Sequence, residues 1–275
     1  MELKETRYIV DDTIATITLA RPHRRNAWTG VMHTEYRHCL SLAEQDPSVR
    51  TIVVTGAPEG KAFCVGADLS GLEVIADSGE YSAGIEEDIS KPGYGTDAAF
   101  DATFAYHFGL SKPVIAAVNG AAAGIGLVLA AFCDLRFVVP GAKFTTAHGR
   151  FNFPAEYGLS WVMPRLVGTT FTNDVMLSSR VFTSDEAHQQ GFSNQLVPAD
   201  GLMQAVNDYA RMLARTVSPG ALRETKRQIY MDWHRSVASA VVDSERLLVE
   251  MSRHPDNKEG VSAWMEKRDP QWTGA

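Results

Sequence analysis

The hydrophobic pattern of the chain alternates between short β-branched segments and longer segments with helical periodicity. The apolar, strand-like segments are residues 14–19, 51–55, 113–118 and 135–139. Residues 28–43 place their apolar side chains on one side of a helix, and residues 8–10 can pair with 14–19 as a hairpin. Uniformly apolar strands that alternate with helices are typical of a parallel sheet covered on both faces. The sequence therefore predicts an α/β fold.

The pattern changes after Pro198, where long helical segments follow one another. Predicted helices cover residues 202–216, 221–253 and 259–267, with Pro219-Gly220 between the first two and Pro255 ending the second. We therefore place a boundary near residue 200, which separates an α/β core (1–200) from a helical C-terminal region (201–275). Within the core, residues 71–108 are acidic and rich in Gly and Tyr. They are typical of a lid over a binding site or of a solvated insertion.

Composition narrows the possible partners. The 275 residues include 26 Lys plus Arg and 33 Asp plus Glu, a net charge of −7, with 45% hydrophobic residues. This mixture is ordinary for a globular protein. The acidic balance argues against binding to nucleic acid, which requires clustered cations, but leaves room for a small anionic ligand held by a few of them.

Cysteine use and hydropathy bear on the cellular compartment. Cys39, Cys64 and Cys133 are widely spaced in apolar stretches, so we expect buried thiols in a reducing compartment. The most apolar run, residues 113–131, is interrupted by Asn119 and several glycines, which argues against a membrane span. The first twelve residues are charged, unlike a signal peptide. We therefore expect a cytoplasmic protein that makes no membrane contact.

Several kinds of chemistry lack their motifs. The eight His residues are scattered without metal-ligand spacing, and no G-x-S-x-G elbow is present. Gly120, Gly124 and Gly126 follow a strand, but their spacing differs from the dinucleotide-binding G-x-G-x-x-G. We therefore expect neither a metal nor a dinucleotide cofactor.

Two turns carry a more specific signal. Residues 62–69 and 119–127 each lead from a strand through glycine to the start of a helix. Backbone N–H groups at helix N-termini favour negative charge. If the fold brings the turns together, Ala67 N–H and Ile125 N–H can form an oxyanion hole. Taken singly, each turn is more typical of plain strand-to-helix packing.

Together with other motifs, these turns resemble the crotonase superfamily, the enoyl-CoA hydratase/isomerase family. The matching segments are 17–22 (Ile-Thr-Leu-Ala-Arg-Pro), 25–27 (Arg-Asn-Ala), 62–69, 112–120, 133–136 (Cys-Asp-Leu-Arg) and 164–168 (Pro-Arg-Leu-Val-Gly). The resemblance implies a crotonase-like spiral of β-β-α units in two sheets, with a helical C-terminal trimerisation region. It also implies a homotrimer or dimer of trimers and an acyl-CoA thioester substrate. No cofactor is implied, because coenzyme A is part of the substrate.

The carboxylates depart from the pattern of the family's hydratases. The two glutamates of those enzymes would fall at Val128 and His148. By spacing, Glu156 matches the single carboxylate of the Δ3,Δ2-enoyl-CoA isomerases, although Ala155 separates it from Pro154. The resemblance therefore implies an isomerase with Glu156 as proton shuttle. The alternatives are a hydratase that uses His148 with Glu156, and a non-catalytic acyl-CoA-binding member.

The local sequence leaves the roles of both residues open. Apolar neighbours such as Phe153 and Trp161 would raise the pKa of the Glu156 carboxyl toward the range of a general base. The same carboxyl could instead cap the next helix or pair with Arg165. The imidazole of His148 could be a base or a buried structural group.

The resemblance also implies which residues bind coenzyme A. They are Ala67, Asp68, Leu69 and Ser70 in the first turn, Arg24 and Arg25 near the phosphates, and Lys267 across a subunit boundary. For the two arginines, simple solvation at the surface is the alternative.

Overall fold

Strands and helices alternate along the part of the chain that the computed structural model describes, residues 1–68 and 96–273. The strands are β1 (Thr6–Asp11), β2 (Ile14–Leu19), β3 (Thr51–Gly56), β4 (Ala62–Cys64), β5 (Val114–Val118), β6 (Ala121–Ala123), β7 (Leu135–Val138), β8 (Lys143–Thr145), β9 (Phe182–Thr183) and β10 (Gln195–Leu196). The helices are α1 (Gly30–Gln45), α2 (Tyr106–Gly109), α3 (Ile125–Phe132), α4 (Leu159–Ser178), α5 (Ser184–Gln189), α6 (Leu202–Thr216), α7 (Pro219–Met231), α8 (Val237–Met251) and α9 (Pro255–Glu266).

The strands form two sheets, and the chain crosses between them repeatedly. One sheet has the order β1-β2-β3-β5-β7-β10, and the other has the order β4-β6-β8-β9. In each of the pairs β3/β4, β5/β6 and β7/β8, the first strand belongs to the larger sheet and the second to the smaller one. Helix α3 follows the second pair, and helix α4 follows the third. Within each sheet these successive strands are parallel. This coil confirms the predicted α/β class and the crotonase-like spiral of β-β-α units.

The N-terminal elements follow the sequence pattern closely. In the hairpin of β1 and β2, Asp11 pairs with Ile14, and Asp12 takes a left-handed conformation at φ 54°. Helix α1 starts after Thr29, whose hydroxyl accepts a hydrogen bond from Met32 N–H at 3.0 Å. All residues of β3 and β5 are buried, as their uniformly apolar or β-branched sequences predict.

The three cysteines are free and buried, which confirms that they serve as small apolar side chains. Burial raises the pKa of the Cys39 thiol to about 11 and that of Cys64 to about 12, and it also raises that of Cys133. None of them is therefore a thiolate at neutral pH.

The predicted single helix over residues 221–253 is wrong. Helix α7 ends at Met231, a short 3-10 turn follows, and α8 begins after Ser236, whose hydroxyl accepts a hydrogen bond from Ser239 N–H. Pro255 also has a different role from the one predicted. It occupies the first turn of α9, where its missing N–H has no partner to lose.

Helix α6, directly after the predicted boundary at residue 200, packs on the large sheet. Its buried residues Leu202, Val206 and Ala210 recur every four positions and join the hydrophobic core beside β3 and β5. The hydrophobic core therefore continues past residue 200 into α6, and the boundary stays a prediction. None of the helices within 1–68 and 96–273 has the length and hydropathy to cross a bilayer.

The predicted insertion lies partly outside the described residues, which resume at Thr96. For residues 98–108, the expectation of a solvated segment is wrong. These residues form a 3-10 turn and helix α2, and their aromatic side chains Phe100, Phe104, Tyr106 and Phe108 are buried in the core.

Candidate active site

The site lies where β4 and β6 run side by side and a glycine follows the end of each strand. Gly66 and Gly124 both have positive φ, 98° and 46°, which favours glycine. A Cβ atom at Gly66 would lie 3.1 Å from the carbonyl oxygen of Ala123, and one at Gly124 would lie 3.9 Å from the Gly66 Cα atom. The two turns that the sequence singles out are therefore in contact.

Each glycine is followed by one of the predicted donors. Ala67 forms an isolated parallel bridge with Trp28, in which Trp28 N–H donates to Gly66 O (2.8 Å) and Asp68 N–H donates to Trp28 O (2.9 Å). The bridge does not use the N–H of Ala67 itself. Ile125 is the first residue of α3, where backbone N–H groups have no carbonyl one turn earlier to bond. The structure thus brings both predicted donors to adjacent strand ends.

Glu156 approaches these donors from the third turn of the coil. Its Oε2 atom lies 4.0 Å from the position of a Cβ atom at Gly124. Tyr157 and Gly158, with φ of 48° and 75°, turn the chain behind it into α4, and Leu159 N–H donates to Glu156 O at 2.9 Å. A half-buried carboxylate therefore faces the start of α3.

The structure bears on both structural alternatives for this carboxylate. The N-cap of α4 is Gly158, which has no side chain to make a capping hydrogen bond. The guanidinium of Arg165 instead stacks over the Trp161 ring at 4.0 Å and donates to Trp161 O at 2.7 Å.

The structure does not bring His148 to the same place by any described contact. Its backbone N–H donates to Thr146 O (2.7 Å), and the adjacent Gly149 N–H donates to Ser179 Oγ (3.1 Å) at the end of α4. Burial lowers the pKa of His148, so its imidazole is neutral at neutral pH. The other hydratase position, Val128, is buried in α3 and carries no acid.

Among the predicted CoA-binding residues, Asp68 has a structural partner. Its carboxylate pairs with Arg21 at 2.7 Å, and Arg21 also contacts Glu5 at 3.1 Å. This ion pair ties the Ala67 turn to the end of β2. Leu69 and Ser70 lie outside the described residues.

The predicted phosphate-binding cations are exposed. Arg24 and Arg25 lie at a 3-10 turn after β2, and Arg25 lines an open groove together with Lys61 and Lys143. Lys267 is exposed at the end of α9 with φ 54°. The structure places the arginines and Lys267 on different elements of the chain, and their role in binding CoA stays a prediction.

Sequence reasoning missed an aromatic cluster beside the site. The ring of Phe104 lies 5.6 Å from that of Trp28 and 5.4 Å from that of Tyr157, which are neighbours of Ala67 and Glu156. The aromatic residues at 100, 104, 106 and 108 were a signal for buried helical packing. In the sequence they follow the acidic residues of the predicted insertion.

Two amide donors at neighbouring strand ends, with one carboxylate opposite, define a site that can stabilise an enolate. Within residues 1–68 and 96–273, no group of three or more His, Cys, Asp or Glu side chains is placed to hold a metal ion. The coil is the fold of the crotonase class of acyl-CoA enzymes.

The family model for enoyl-CoA hydratase/isomerase matches residues 10–275, and the chain belongs to this family. It is 31% identical to 1,2-epoxyphenylacetyl-CoA isomerase of Escherichia coli K12, over 96% of this chain and 97% of the relative. It is 32% identical to a probable enoyl-CoA hydratase of Mycobacterium tuberculosis, over 94% of this chain and 89% of the relative. The crystal structure of a probable enoyl-CoA hydratase/isomerase from Mycobacterium abscessus superposes with a TM-score of 0.84 at 28% identity, covering 98% of this chain and 99% of the other.

Proposed function

We propose that the protein isomerises an enoyl-CoA and that Glu156 shuttles the proton. The observation that carries this proposal is the position of the Glu156 carboxylate beside Gly124, where α3 and its first amide begin. A base at this point is close to any thioester whose carbonyl oxygen accepts from Ile125 N–H.

The proposed reaction needs one base and two donors. The thioester carbonyl of a 3-enoyl-CoA accepts from Ala67 N–H and Ile125 N–H, which acidifies the C2 proton. Glu156 removes that proton, and the electron pair delocalises over the dienolate, whose oxygen charge rests on the two amides. The protonated carboxyl then returns the proton to C4, which leaves the 2-enoyl thioester. No water is consumed, and Glu156 ends in its starting state.

The residues at the two hydratase positions support isomerisation over hydration. Adding water calls for groups that both activate the water and protonate the α-carbon. At those positions the chain has Val128, which is apolar and buried, and His148, whose turn is bonded to the end of α4. A single shuttling carboxylate has all that a proton transfer within one substrate requires.

The names of the relatives support both candidates. The Escherichia coli relative is named an isomerase, whereas the Mycobacterium tuberculosis relative is named a probable hydratase. A hydratase that uses His148 with Glu156 is the second candidate. It is favoured by the lowered pKa of His148, which keeps the imidazole able to accept a proton from water. A member that binds acyl-CoA without turning it over is the third.

The proposal is tested by supplying 3-enoyl-CoA and 2-enoyl-CoA separately to the wild type and to Glu156→Gln and His148→Gln variants. We expect isomerisation of the first substrate, a loss of about 10²- to 10⁴-fold in Glu156→Gln, and little change in His148→Gln. The exposed Glu245→Gln is the matched control. Hydration of 2-enoyl-CoA that depends on both residues, without isomerisation, would establish the hydratase instead. Tight binding of both thioesters without turnover would establish the binding protein.

We also propose that the C-terminal helices assemble the chain into a homotrimer or a dimer of trimers. Support comes from large apolar side chains that α8 and α9 leave exposed, among them Val242 (65%), Leu248 (68%) and Trp264 (83%). Sedimentation equilibrium of the wild type is expected to give three or six times the chain mass, and a monomer would contradict this part of the proposal.

A further inference from the structure

Phe104 has a backbone conformation that a bulky residue seldom adopts. Its φ is 65°, in the left-handed region, and its side chain is fully buried at 0% exposure. A residue other than glycine persists there only when its surroundings hold it in place, and such strain concentrates at functional sites.

A chain of hydrogen bonds holds this conformation. His107 Nδ1 lies 2.7 Å from Phe104 O, and His107 N–H donates to the same oxygen at 3.1 Å. Because a carbonyl only accepts, Nδ1 carries the ring proton, and Nε2 is therefore the acceptor. The hydroxyl of Tyr36 lies 2.7 Å from Nε2 and must donate to it. Tyr36 on α1 thus fixes His107, and His107 fixes the carbonyl of Phe104.

The ring of Phe104 contacts a neighbour of each half of the site. On one side it contacts Trp28, whose backbone makes the two bridge hydrogen bonds around Ala67. On the other side it meets Tyr157 edge-on, with centroids 5.4 Å apart and planes at 83°. Tyr157 directly follows Glu156 and has a positive φ itself, so the contact with its ring constrains the backbone next to the carboxylate.

We propose that Phe104 is a positioning residue, held by His107 and Tyr36, that fixes the separation between the Ala67 donor and the Glu156 carboxylate. The proposal rests on the proposed function, because it concerns the base and the donor assigned there. Misplacing a reacting group by about 1 Å costs on the order of 10²-fold in rate. A side chain that fixes the distance between donor and base therefore matters for turnover.

The test compares Phe104→Leu with Phe100→Leu. Both changes remove a buried ring from the same segment, but Phe100 contacts Phe108 and His234 rather than Trp28 and Tyr157. We expect Phe104→Leu to lower kcat on 3-enoyl-CoA by about 10- to 100-fold, with KM within about twofold. Phe100→Leu is expected to lower the melting temperature by a similar amount and to leave kcat unchanged. Equal kcat losses in the two variants, or none in Phe104→Leu, would overturn the proposal.

A second variant and a spectroscopic readout keep the test decisive. Tyr36→Phe retains the ring and removes the hydroxyl that donates to His107. If Phe104→Leu does not fold, Tyr36→Phe alone is expected to lower kcat several-fold, and a wild-type kcat would overturn the proposal.

A bound conjugated dienoyl-CoA reports polarisation by the two amides through the red shift of its absorbance, without any proton transfer. If the wild type fails to isomerise yet shows this shift, the proposed function fails. The positioning role then stands or falls on whether Phe104→Leu, but not Phe100→Leu, reduces the shift.

Discussion

Gly126 lies so close to the carbonyl oxygen of Cys64 that a Cβ atom on it would stand 2.0 Å from that oxygen. The contact joins the first turn of α3 to the end of β4, two residues before Gly66. No larger residue fits unless the helix moves away from the strand, because the opposing atom is backbone. The absence of a side chain here therefore sets the spacing between the two predicted amide donors.

We expect Gly126→Ala to destabilise the fold by about 3 kcal/mol, as overpacking against backbone does, and to reduce turnover because Ile125 N–H is displaced. Gly260→Ala in α9 is the control. Its Cβ atom would lie in ordinary contact with Trp272, 3.4 Å away, and alanine gains about 1 kcal/mol of helix propensity over glycine. Urea denaturation of both variants measures the difference. A fully stable, active Gly126→Ala variant would refute this account of the spacing.

Arg24 and Arg25 are expected to act on the nucleotide part of the substrate alone. If they contact the CoA phosphates, Arg24→Gln and Arg25→Gln will each raise KM for the CoA thioester several-fold, with kcat unchanged, because phosphate binding is the same in ground and transition states. Steady-state kinetics on the matching acyl-pantetheine thioester, which lacks those phosphates, is expected to show no change. Equal effects on both substrates would mean that the arginines act through the fold.

The ion pair of Lys226 and Asp134 is expected to hold α7 onto the core. The two groups are 2.8 Å apart and largely buried, and Asp134 also accepts from Tyr230 OH at 2.7 Å. Lys226→Met leaves a buried carboxylate without its counter-ion, so we expect a loss of about 3 to 5 kcal/mol in free energy of unfolding. Arg246, an exposed side chain that pairs with Asp243 and Glu250, is the control, and Arg246→Met is expected to lower the free energy of unfolding much less. Similar losses in the two variants would contradict this prediction.

As the pH is lowered, we expect the protein to lose stability at a higher pH than the one at which its ion-paired carboxylates are protonated. Burial lowers the pKa of His107 from 6.5 to about 4, so the folded state keeps the imidazole neutral while the unfolded chain binds a proton. The stabilisation is complete above pH 6.5 and is lost as the pH falls from 6.5 to 4. A shift of this size corresponds to about 3 kcal/mol. Carboxylates such as Glu259, whose pKa is about 2, lose their contribution at lower pH.

The check is chemical denaturation at pH 7, 5.5 and 4.5 for the wild type and His107→Gln. The variant has no imidazole to protonate, so its stability should change less over this range. Parallel pH profiles for the two proteins would show that other groups cause the acid sensitivity.

Elements with a strong local signal were predictable from the sequence. β2 and α6 were assigned with their observed bounds, because each combines a clear apolar period with defined ends. The break at residues 232–236 was missed, because the apolar pattern continues across it and only Ser236 marks the new cap. β6 and β8 have three residues each, too few for any period to show.

The two glycine turns of the candidate site were predictable from the sequence. The parts of the site whose geometry depends on contacts between distant residues were not. Gly66 and Gly124 mark the two turns in the sequence itself, since their backbone conformations favour glycine. The role of Phe104 depends on rings at Trp28 and Tyr157, far from it in sequence, and on a backbone angle that no residue pattern reveals.

The coil contributes one group of the site from each of three successive turns: Ala67 after β4, Ile125 after β6 and Glu156 after β8. Because the predicted donors belong to the first two turns and the proposed base to the third, a mutation of that base would leave the proposed thioester activation intact. Descendants of such a chain can therefore acquire a different reaction through substitutions in one loop while they keep the same class of substrate.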